Sequence, residues 1–453
     1  EKLIRIDDRV PSNDRPVSCV SSPYRSGRFC SILINFEETT TVRVTMIVNF
    51  LNVIVSALLL VNLLAGASQT EAYQVRKEIS FNWIRESSDV IRNQTAILLQ
   101  RDGYESDRMQ VRTDDGYLLT VYRMLPKKSR LGVVLFHHGI RQSSDMWMFL
   151  GPKRSLAYQL YEAGYDVWFS NSRASPESEG HERLDRDSDH YWDFSFHEIG
   201  VEDLSAVIDY IIAATDRKSL HFVGYSEAGS AILALLSELP GYNQKMASVE
   251  LIAPPAFMQY GQFAWIARMV QPIRALFPWS VYYTRDALPT QICTLFRNEC
   301  CSLFGQMNDR GTGNGTRTER SPGSPNRPRA GCFDLEDVSL KQLEHYRQII
   351  ASGRFQQFDY GYAVNLHRYK RNTPPDYCLW DVTARIALHY GNKDKTVDWR
   401  GVEQLARKLP KTMELQKTLY KGFSHRDFYR SPKTQATVYA NILKSIKRHS
   451  TVQ

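Results

Sequence analysis

Short apolar runs of strand composition alternate with segments of helical periodicity from residue 132 onward, and this alternation restricts the fold more than any other feature. The runs show little apolar and polar alternation, so they predict strands that are buried on both faces, as in parallel sheets. Strands are predicted at 132–136, 166–169, 220–223, 249–252 and 385–390, and helices at 155–163, 201–213 and 228–239. This order predicts an α/β fold with a mostly parallel, doubly wound sheet.

The alternation stops between residues 254 and 375. Aromatic and long apolar residues recur at helical spacing over 257–283, which predicts a helical insertion above the carboxyl ends of the strands. Residues 308–330 are rich in Gly, Pro, Ser and Arg, and such a composition cannot bury enough surface to order itself. We therefore expect a cap or lid over 254–375 that contains a flexible insert.

A largely apolar run over 53–65 precedes Ala-Gly-Ala at 65–67. This pattern predicts a cleavable signal peptide over 46–67, with an uncleaved membrane anchor as the alternative. Met46 is the first methionine, so residues 1–45 are interpreted as translated upstream sequence or a gene-model extension, and they are not expected to fold. One domain over 68–453 is expected, secreted or lysosomal, without a stable transmembrane segment after cleavage.

The net charge of +8 and the pI near 9.0 favour acidic surfaces such as anionic lipid. No nucleic-acid-binding motif accompanies this charge, so nucleic acid is not an expected partner. Neither a C-x-x-C pair nor a His/Cys cluster has zinc spacing, so the sequence predicts no zinc site. The oligomeric state is left open.

Cysteines and glycosylation sequons fit an oxidising compartment. Of the seven cysteines, Cys19 and Cys30 fall in 1–45, and the other five are an odd number, which leaves at least one thiol free or paired elsewhere. Asn93 and Asn314 each begin an Asn-x-Thr sequon and are expected to be glycosylated.

A serine lies between small residues at a predicted strand-to-helix turn, in the segment GYSEAG over 224–229. A nucleophile at such a turn needs small residues two positions before and after it, because larger side chains would collide with the strand and helix. Gly224 and Ala228 meet this need, so Ser226 is the predicted nucleophile. A serine that merely caps the helix is the alternative.

The base and the acid of a catalytic triad should follow Ser226 in the order acid, then histidine. His425 and His449 are late enough, and His425 is favoured because it lies in a loop before the last helix. Asp394 directly follows the strand at 385–390 and is the predicted acid, with Asp398 as the alternative. A buried carboxylate there would hold the imidazole in the tautomer that accepts the serine proton.

Two backbone N–H groups are needed to bind the oxyanion of an acyl intermediate. One belongs to Glu227, the residue after the nucleophile, and the other is expected from Ile140, because Gly139 permits a sharp turn after the strand at 132–136. His138 is interpreted as a packed, hydrogen-bonded histidine rather than an acid or base.

At this point the sequence resembles the acid lipases of the α/β-hydrolase fold, which include gastric lipase, lysosomal acid lipase and insect relatives. The resemblance runs from Ile91 to the C-terminus. Its motifs lie at 113–118, 138–140, 151–157, 163–168, 171–173, 191–198, 352–355, 358–361 and 374–377.

The resemblance implies a helical cap with a lid, the triad and oxyanion residues named above, and no metal or cofactor. It also implies a disulfide from Cys293 to Cys300 or Cys301. Family members hydrolyse triacylglycerols or steryl esters through an acyl-enzyme, so a lipid-ester substrate and a lipid–water interface are the expected partners. A catalytically weakened lipid carrier on the same scaffold is the alternative function.

Several residues depart from the family pattern. Tyr225, Glu227 and Ala228 stand where the family has a pattern closer to GHSQG, and Lys395 and Thr396 replace apolar residues after the acid. A Glu227 carboxylate about 7 Å from the oxyanion would raise the barrier by roughly 2 kcal/mol at an effective dielectric of about 20. We therefore expect Glu227→Gln to raise activity more at neutral than at acidic pH.

Overall fold

The computed structural model describes residues 93–126, 131–261 except 179 and 187, and 338–450. The predicted upstream segment 1–45, the signal peptide 46–67, most of the cap with the insert 308–330, and Asn314 lie outside these residues, as do Cys19, Cys30, Cys293, Cys300, Cys301 and Cys332. The strands are β1 Ser106–Arg112, β2 Tyr117–Met124, β3 Val133–His137, β4 Asp166–Ser170, β5 Gly180–His181, β6 Leu220–Tyr225, β7 Met246–Ile252, β8 Ile386–Gly391 and β9 Leu415–Tyr420.

These strands form one twisted sheet in the order β1-β2-β4-β3-β6-β7-β8-β9, with β5 paired to β2. The pairs from β4 through β9 are parallel, and β1, β2 and β5 join by antiparallel pairing. The mostly parallel, doubly wound sheet predicted from the sequence is confirmed, and each predicted strand lies within one residue of an observed one or inside it.

The outer strands β1 and β9 were not predicted. Their sequences SDRMQVR and LQKTLY are half polar, and much of each strand is exposed. An edge strand buries one face or less, so it does not show the continuous apolar run that marks a central parallel strand.

Helices cover both faces of the sheet. They are α1 Gln94–Arg101, α2 Leu156–Glu162, α3 Phe196–Glu198, α4 Ser205–Thr215, α5 Glu227–Glu238, α6 Leu340–Ser352, α7 Tyr362–Tyr369, α8 Trp399–Lys408, α9 Asp427–Arg430 and α10 Ala440–His449. A π-helical turn, Ile199–Leu204, joins α3 to α4, and a second, Gln435–Tyr439, precedes α10. Within the described ranges, no helix is both long and apolar enough to cross a membrane.

The sheet register brings the carboxyl ends of the central strands together. His137 at the end of β3 pairs with Gly224 near the end of β6, and Tyr225 pairs with Ile252 at the end of β7. Ile252 in turn pairs with His389 near the end of β8. The loops that follow β3, β6 and β8 therefore leave the sheet at the same edge, where parallel sheets carry their sites.

A buried ion-pair cluster fixes the loops behind the antiparallel strands. The Arg173 side chain is 1% exposed and forms ion pairs of 2.6 Å with Asp115 and 2.7 Å with Asp203. Its guanidinium also lies 3.9 Å from the centre of the Tyr117 ring. The cluster joins the β1–β2 turn, the loop after β4 and the π-helical turn 199–204, three segments that are distant in sequence.

Removing the buried cation should destabilise the fold strongly. We expect Arg173→Leu to lower the free energy of unfolding by about 3–5 kcal/mol, because two carboxylates lose their partner and Asp203 stays buried. Arg112→Leu is the matched control, since Arg112 and Glu182 form an exposed pair of 3.3 Å whose loss should cost less than about 1 kcal/mol. Urea unfolding measures both, and equal losses would contradict the role given to the cluster.

Candidate active site

Ser226 is held in an unusual backbone conformation between β6 and α5. Its φ is 53° and its ψ is −120°, outside the regions that non-glycine residues ordinarily occupy. The Ser226 N–H donates to the Ile252 carbonyl at 2.8 Å, and the Gly229 N–H donates to the Ser226 carbonyl at 2.7 Å. These bonds hold a backbone geometry that costs of order 1–3 kcal/mol when unsupported.

The two small residues flanking Ser226 face each other. A Cβ added to Gly224 would lie 3.0 Å from the Ala228 Cβ and 2.6 Å from the Phe222 ring. The structure therefore shows why small residues are needed two positions before and after Ser226. Ala228 fits in place of the usual glycine because Gly224 leaves room for its methyl group.

The three residues predicted as a triad are in hydrogen-bond contact. His425 Nε2 lies 3.0 Å from Ser226 Oγ, and His425 Nδ1 lies 2.7 Å from Asp394 Oδ2. The Asp394 side chain is fully buried, and that of His425 is 14% exposed. The imidazole therefore connects the Ser226 hydroxyl to a carboxylate that is shielded from water.

The Asp394 carboxylate is oriented by the backbone that follows it. Its Oδ1 accepts the N–H groups of Thr396 and Val397, both at 2.8 Å. Because the donors are backbone groups, the polar side chains of Lys395 and Thr396 do not disturb the contact. The departure from the family pattern at these positions leaves the acid in place.

The alternative acid and base have other partners. Asp398 accepts the Arg400 N–H at 2.9 Å as the N-cap of α8, and it also pairs with the Arg400 side chain at 2.8 Å. His449 lies at the end of α10, 3.4 Å from Glu414. Neither residue joins the hydrogen-bond line through Ser226.

Two contacts that the sequence analysis missed hold the loop of His425. The Tyr225 hydroxyl donates to the His425 carbonyl at 2.8 Å. The Lys393 N–H donates to the Phe423 carbonyl at 3.0 Å, where Gly391 lets the acid and base loops approach. Tyr225 is one of the departures from the family pattern, which was the available signal that this position has a local role.

The loop after β3 passes directly over the nucleophile. A Cβ added to Gly139 would lie 3.0 Å from the Ser226 Cβ. Gly139 is therefore needed for this close approach, while the left-handed residue of the turn is Arg141, with φ 59°. Within the described part of the chain, the N–H groups of Ile140 and Glu227 have no hydrogen-bond partner.

His138 is packed and hydrogen-bonded, as the sequence analysis proposed. Its Nε2 accepts the Ser172 N–H at 3.1 Å, so the proton is on Nδ1, which donates to the Gly139 carbonyl at 2.8 Å. Burial lowers the pKa of His138 to about 4. The ring is therefore neutral above that pH.

The Glu227 carboxyl differs from expectation because it is buried. The residue is 5% exposed, and its Oε2 accepts the Gln342 side-chain amide at 2.9 Å. Burial raises the pKa of Glu227 to about 8. The burial therefore favours the un-ionised acid near neutral pH, and repulsion of an oxyanion grows as the pH rises toward 8; the effect expected of Glu227→Gln stays a prediction.

The remaining predicted features fall partly within the described residues. Asn93 is partly exposed and directly precedes α1, and its sequon is completed by Thr95, whose hydroxyl donates to Glu177 at 2.6 Å. Cys378 is a free, partly exposed thiol. No group of His, Cys, Asp and Glu in the described segments could hold a metal ion.

Comparison with known proteins gives consistent matches. A family model described as alpha/beta hydrolase fold matches residues 132–429, and one described as partial alpha/beta-hydrolase lipase region matches residues 95–151. Lipase 1 of Drosophila melanogaster is 30% identical over 352 residues, covering 77% of this chain and 78% of the relative. Gastric triacylglycerol lipase of Bos taurus is 30% identical over 364 residues, which cover 75% of this chain and 88% of the relative. The range 132–429 contains Ser226, Asp394 and His425.

The contact between the acid and base loops should be sensitive to one methyl group. A Cβ at Gly391 would lie 2.3 Å from the Phe423 carbonyl oxygen, so Gly391→Ala must displace the loop of His425. We expect kcat on a soluble p-nitrophenyl ester to fall about 100-fold. Gly241→Ala is the control, because a Cβ there meets nothing within 4 Å. A folded Gly391→Ala variant with unchanged kcat would show that the two loops do not depend on this contact.

Proposed function

The chain belongs to the lipase branch of the α/β-hydrolase fold family, and from this premise we propose that it hydrolyses lipid esters with Ser226 as nucleophile, His425 as base and Asp394 as acid. That it is a carboxylic-ester hydrolase acting on lipids follows from its relatives. The observation that supports the residue assignment is the hydrogen-bond line from Asp394 through His425 to Ser226, with distances of 2.7 and 3.0 Å.

In the acylation step, Ser226 Oγ attacks the ester carbonyl carbon as its proton passes to His425 Nε2. Asp394 accepts a hydrogen bond from Nδ1–H throughout, so it keeps the accepting nitrogen toward the serine and stabilises the imidazolium. The imidazolium then protonates the alcohol that leaves. An acyl group stays bonded to Ser226.

In the second step, a water molecule takes the position of the alcohol. His425 removes its proton as the oxygen attacks the acyl carbon, and the returning proton regenerates the Ser226 hydroxyl when the fatty acid leaves. The same three residues therefore serve both halves of the reaction. All of the chemistry assigned to the site is proton transfer and acyl transfer.

The oxyanion of each intermediate would be bound by the Ile140 and Glu227 N–H groups. In a trans peptide the carbonyl and the N–H point in opposite directions. Because His138 binds the Gly139 carbonyl, the N–H of the same peptide, that of Ile140, is directed away from His138. The position of Gly139 against Ser226 supports the assignment of this N–H to the site.

A carrier function is not favoured. A lipid carrier has no need for a serine in a strained turn or for a buried carboxylate behind the imidazole, and the relatives are lipases. Relatives named gastric triacylglycerol lipase include those of Bos taurus and Homo sapiens. We therefore propose triacylglycerol as the substrate, with steryl ester as the competing outcome of the test below.

The triad proposal predicts a specific pattern of losses on emulsified triolein and cholesteryl oleate. Ser226→Ala and His425→Asn should each lower kcat by about 10⁴-fold or more, and the double variant should lose no more than the single ones, because the residues act as one unit. Faster turnover of triolein would support triacylglycerol as the substrate, and faster turnover of cholesteryl oleate would contradict it.

Asp398→Asn and His449→Asn serve as matched controls, since both replace alternative triad candidates that lie away from Ser226. Each should retain activity within about twofold. Activity that survives Ser226→Ala and is lost in His449→Asn would contradict the assignment.

We also propose entry into the secretory pathway, which the predicted signal peptide and the sequon at Asn93 support. Expression of the full chain in insect cells should give a product in the medium or lysosomes that shifts in mobility after glycosidase treatment. Asn93→Gln should reduce that shift, and an unglycosylated cytosolic product would contradict the proposal.

A further inference from the structure

Glu227 occupies the position directly after the nucleophile, yet its side chain points into the protein. The carboxyl contacts α6, the helix that follows the cap region in the chain, through the 2.9 Å bond from Gln342 Nε2 to Oε2. The other oxygen, Oε1, is buried and has no hydrogen-bond partner among the described residues. A charged carboxylate with one neutral partner in such a place would be costly.

The direction of the Gln342 bond is fixed by its neighbour. Gln342 Oε1 accepts the Ser339 backbone N–H at 2.9 Å, in the capping box of α6. Since a backbone N–H can only donate, the oxygen of Gln342 must face Ser339 and its NH₂ group must face Glu227. Glu227 Oε2 is thus an acceptor.

The hydroxyl groups beside Glu227 have no proton to offer it. Ser230 Oγ donates to the Pro255 carbonyl at 2.6 Å, and that carbonyl can only accept. Ser230 must therefore accept the bond from the Tyr346 hydroxyl at 3.0 Å, which uses the single proton of Tyr346. The Tyr346 hydroxyl also interacts with Glu227, but its proton is directed to Ser230, so Glu227 Oε1 receives no full hydrogen bond. Among the described residues, the carboxyl therefore has one hydrogen bond, from the neutral Gln342 amide, and a buried charge with so little support is costly.

Among the described residues, neighbouring charges do not account for the un-ionised state of Glu227. The elements packed against α5 carry the titratable groups His197, Glu198, Glu202, Asp203, His221, Tyr225, Tyr242, Lys245, Glu250 and Asp381, and α6 adds Lys341, Glu344, His345, Tyr346 and Arg347. Glu198 pairs with Lys341 at 3.2 Å and Asp203 with Arg173, so their charges are compensated. Burial is the main cause of the raised pKa of Glu227, with Gln342 and Tyr346 lowering it in part.

We propose that Glu227 acts, as an un-ionised acid, as a positioning residue that ties the oxyanion N–H of α5 to the cap-side helix α6, and that its ionisation sets the alkaline limit of activity. The inference rests on the proposed function. The carboxyl does not touch the substrate, since it acts through the peptide that carries its own N–H group.

Ionisation would disturb the site in two ways. The carboxylate would be a buried charge with one neutral hydrogen-bond donor, which strains the contact with α6, and it would place a negative charge near the forming oxyanion. Glutamine is the matched replacement, because its carbonyl can accept from Gln342 as the carboxyl does, and it has a similar shape with no charge at any pH. It reproduces the acid form permanently.

The test compares kcat/KM of wild type and Glu227→Gln on a soluble p-nitrophenyl ester between pH 5 and pH 10. The ratio of variant to wild type should rise by about tenfold across the alkaline range, with a midpoint near the pKa of about 8. Glu238→Gln is the control, because it makes the same change at the far end of α5, where Glu238 accepts from Gln357 at 2.8 Å. The ratio of kcat/KM for Glu238→Gln to that of wild type should stay constant from pH 5 to pH 10.

Two further measurements keep the inference testable if Glu227→Gln folds poorly. Infrared difference spectra of the wild-type protein should show a protonated carboxyl band at pH 6 that disappears with a midpoint near pH 8. Gln342→Leu removes a bond that lowers the pKa of Glu227, so it should move the alkaline limb of activity to higher pH.

The free energy of unfolding should also depend on the protonation of Glu227. The folded chain holds the Glu227 proton between the ordinary pKa of 4.5 and about 8, so wild type should lose stability relative to Glu227→Gln as pH rises through that window. A superimposable pH profile for the two proteins, or an ionised carboxyl at pH 6, would overturn the inference. Absence of ester hydrolysis by wild type at every pH would instead overturn the proposed function.

Discussion

The positive φ of Ser226 is the constraint on which the rest of the site depends. A serine accepts φ 53° only where its surroundings enforce it, and here the surroundings are the bond to Ile252 and the close approach of Gly139. That turn lifts the hydroxyl above the end of β6, within 3.0 Å of His425. The same turn starts α5, so its first N–H groups face the place where negative charge would develop.

Backbone contacts make the site tolerant of sequence change. Asp394 is oriented by two backbone N–H groups, so the replacement of apolar residues at 395 and 396 leaves its geometry intact. Tyr225 adds a contact of its own through its hydroxyl and the His425 carbonyl. The triad geometry can therefore persist in a chain about 30% identical to its lipase relatives.

Local sequence patterns allowed the central strands and the triad candidates to be predicted. Buried parallel strands appear as continuous apolar runs, and the triad residues follow a fixed order along the chain. What could not be predicted depends on contacts distant in the chain. The edge strand β9 shows no apolar run, and the protonation of Glu227 depends on Gln342, 115 residues away. The sequence analysis proposed Gly139 as the glycine of a sharp turn. The structure shows that a glycine is required there because Ser226 packs against it.

The central claim is that Ser226 is a nucleophile activated by His425 and Asp394. It is tested most directly by treating the folded protein with a fluorophosphonate and locating the adduct by peptide mass spectrometry. We expect one phosphonyl group per chain, on Ser226, and a far slower reaction when His425 is replaced by Asn. A folded protein that forms no adduct, or one that is labelled at another residue, would contradict the account.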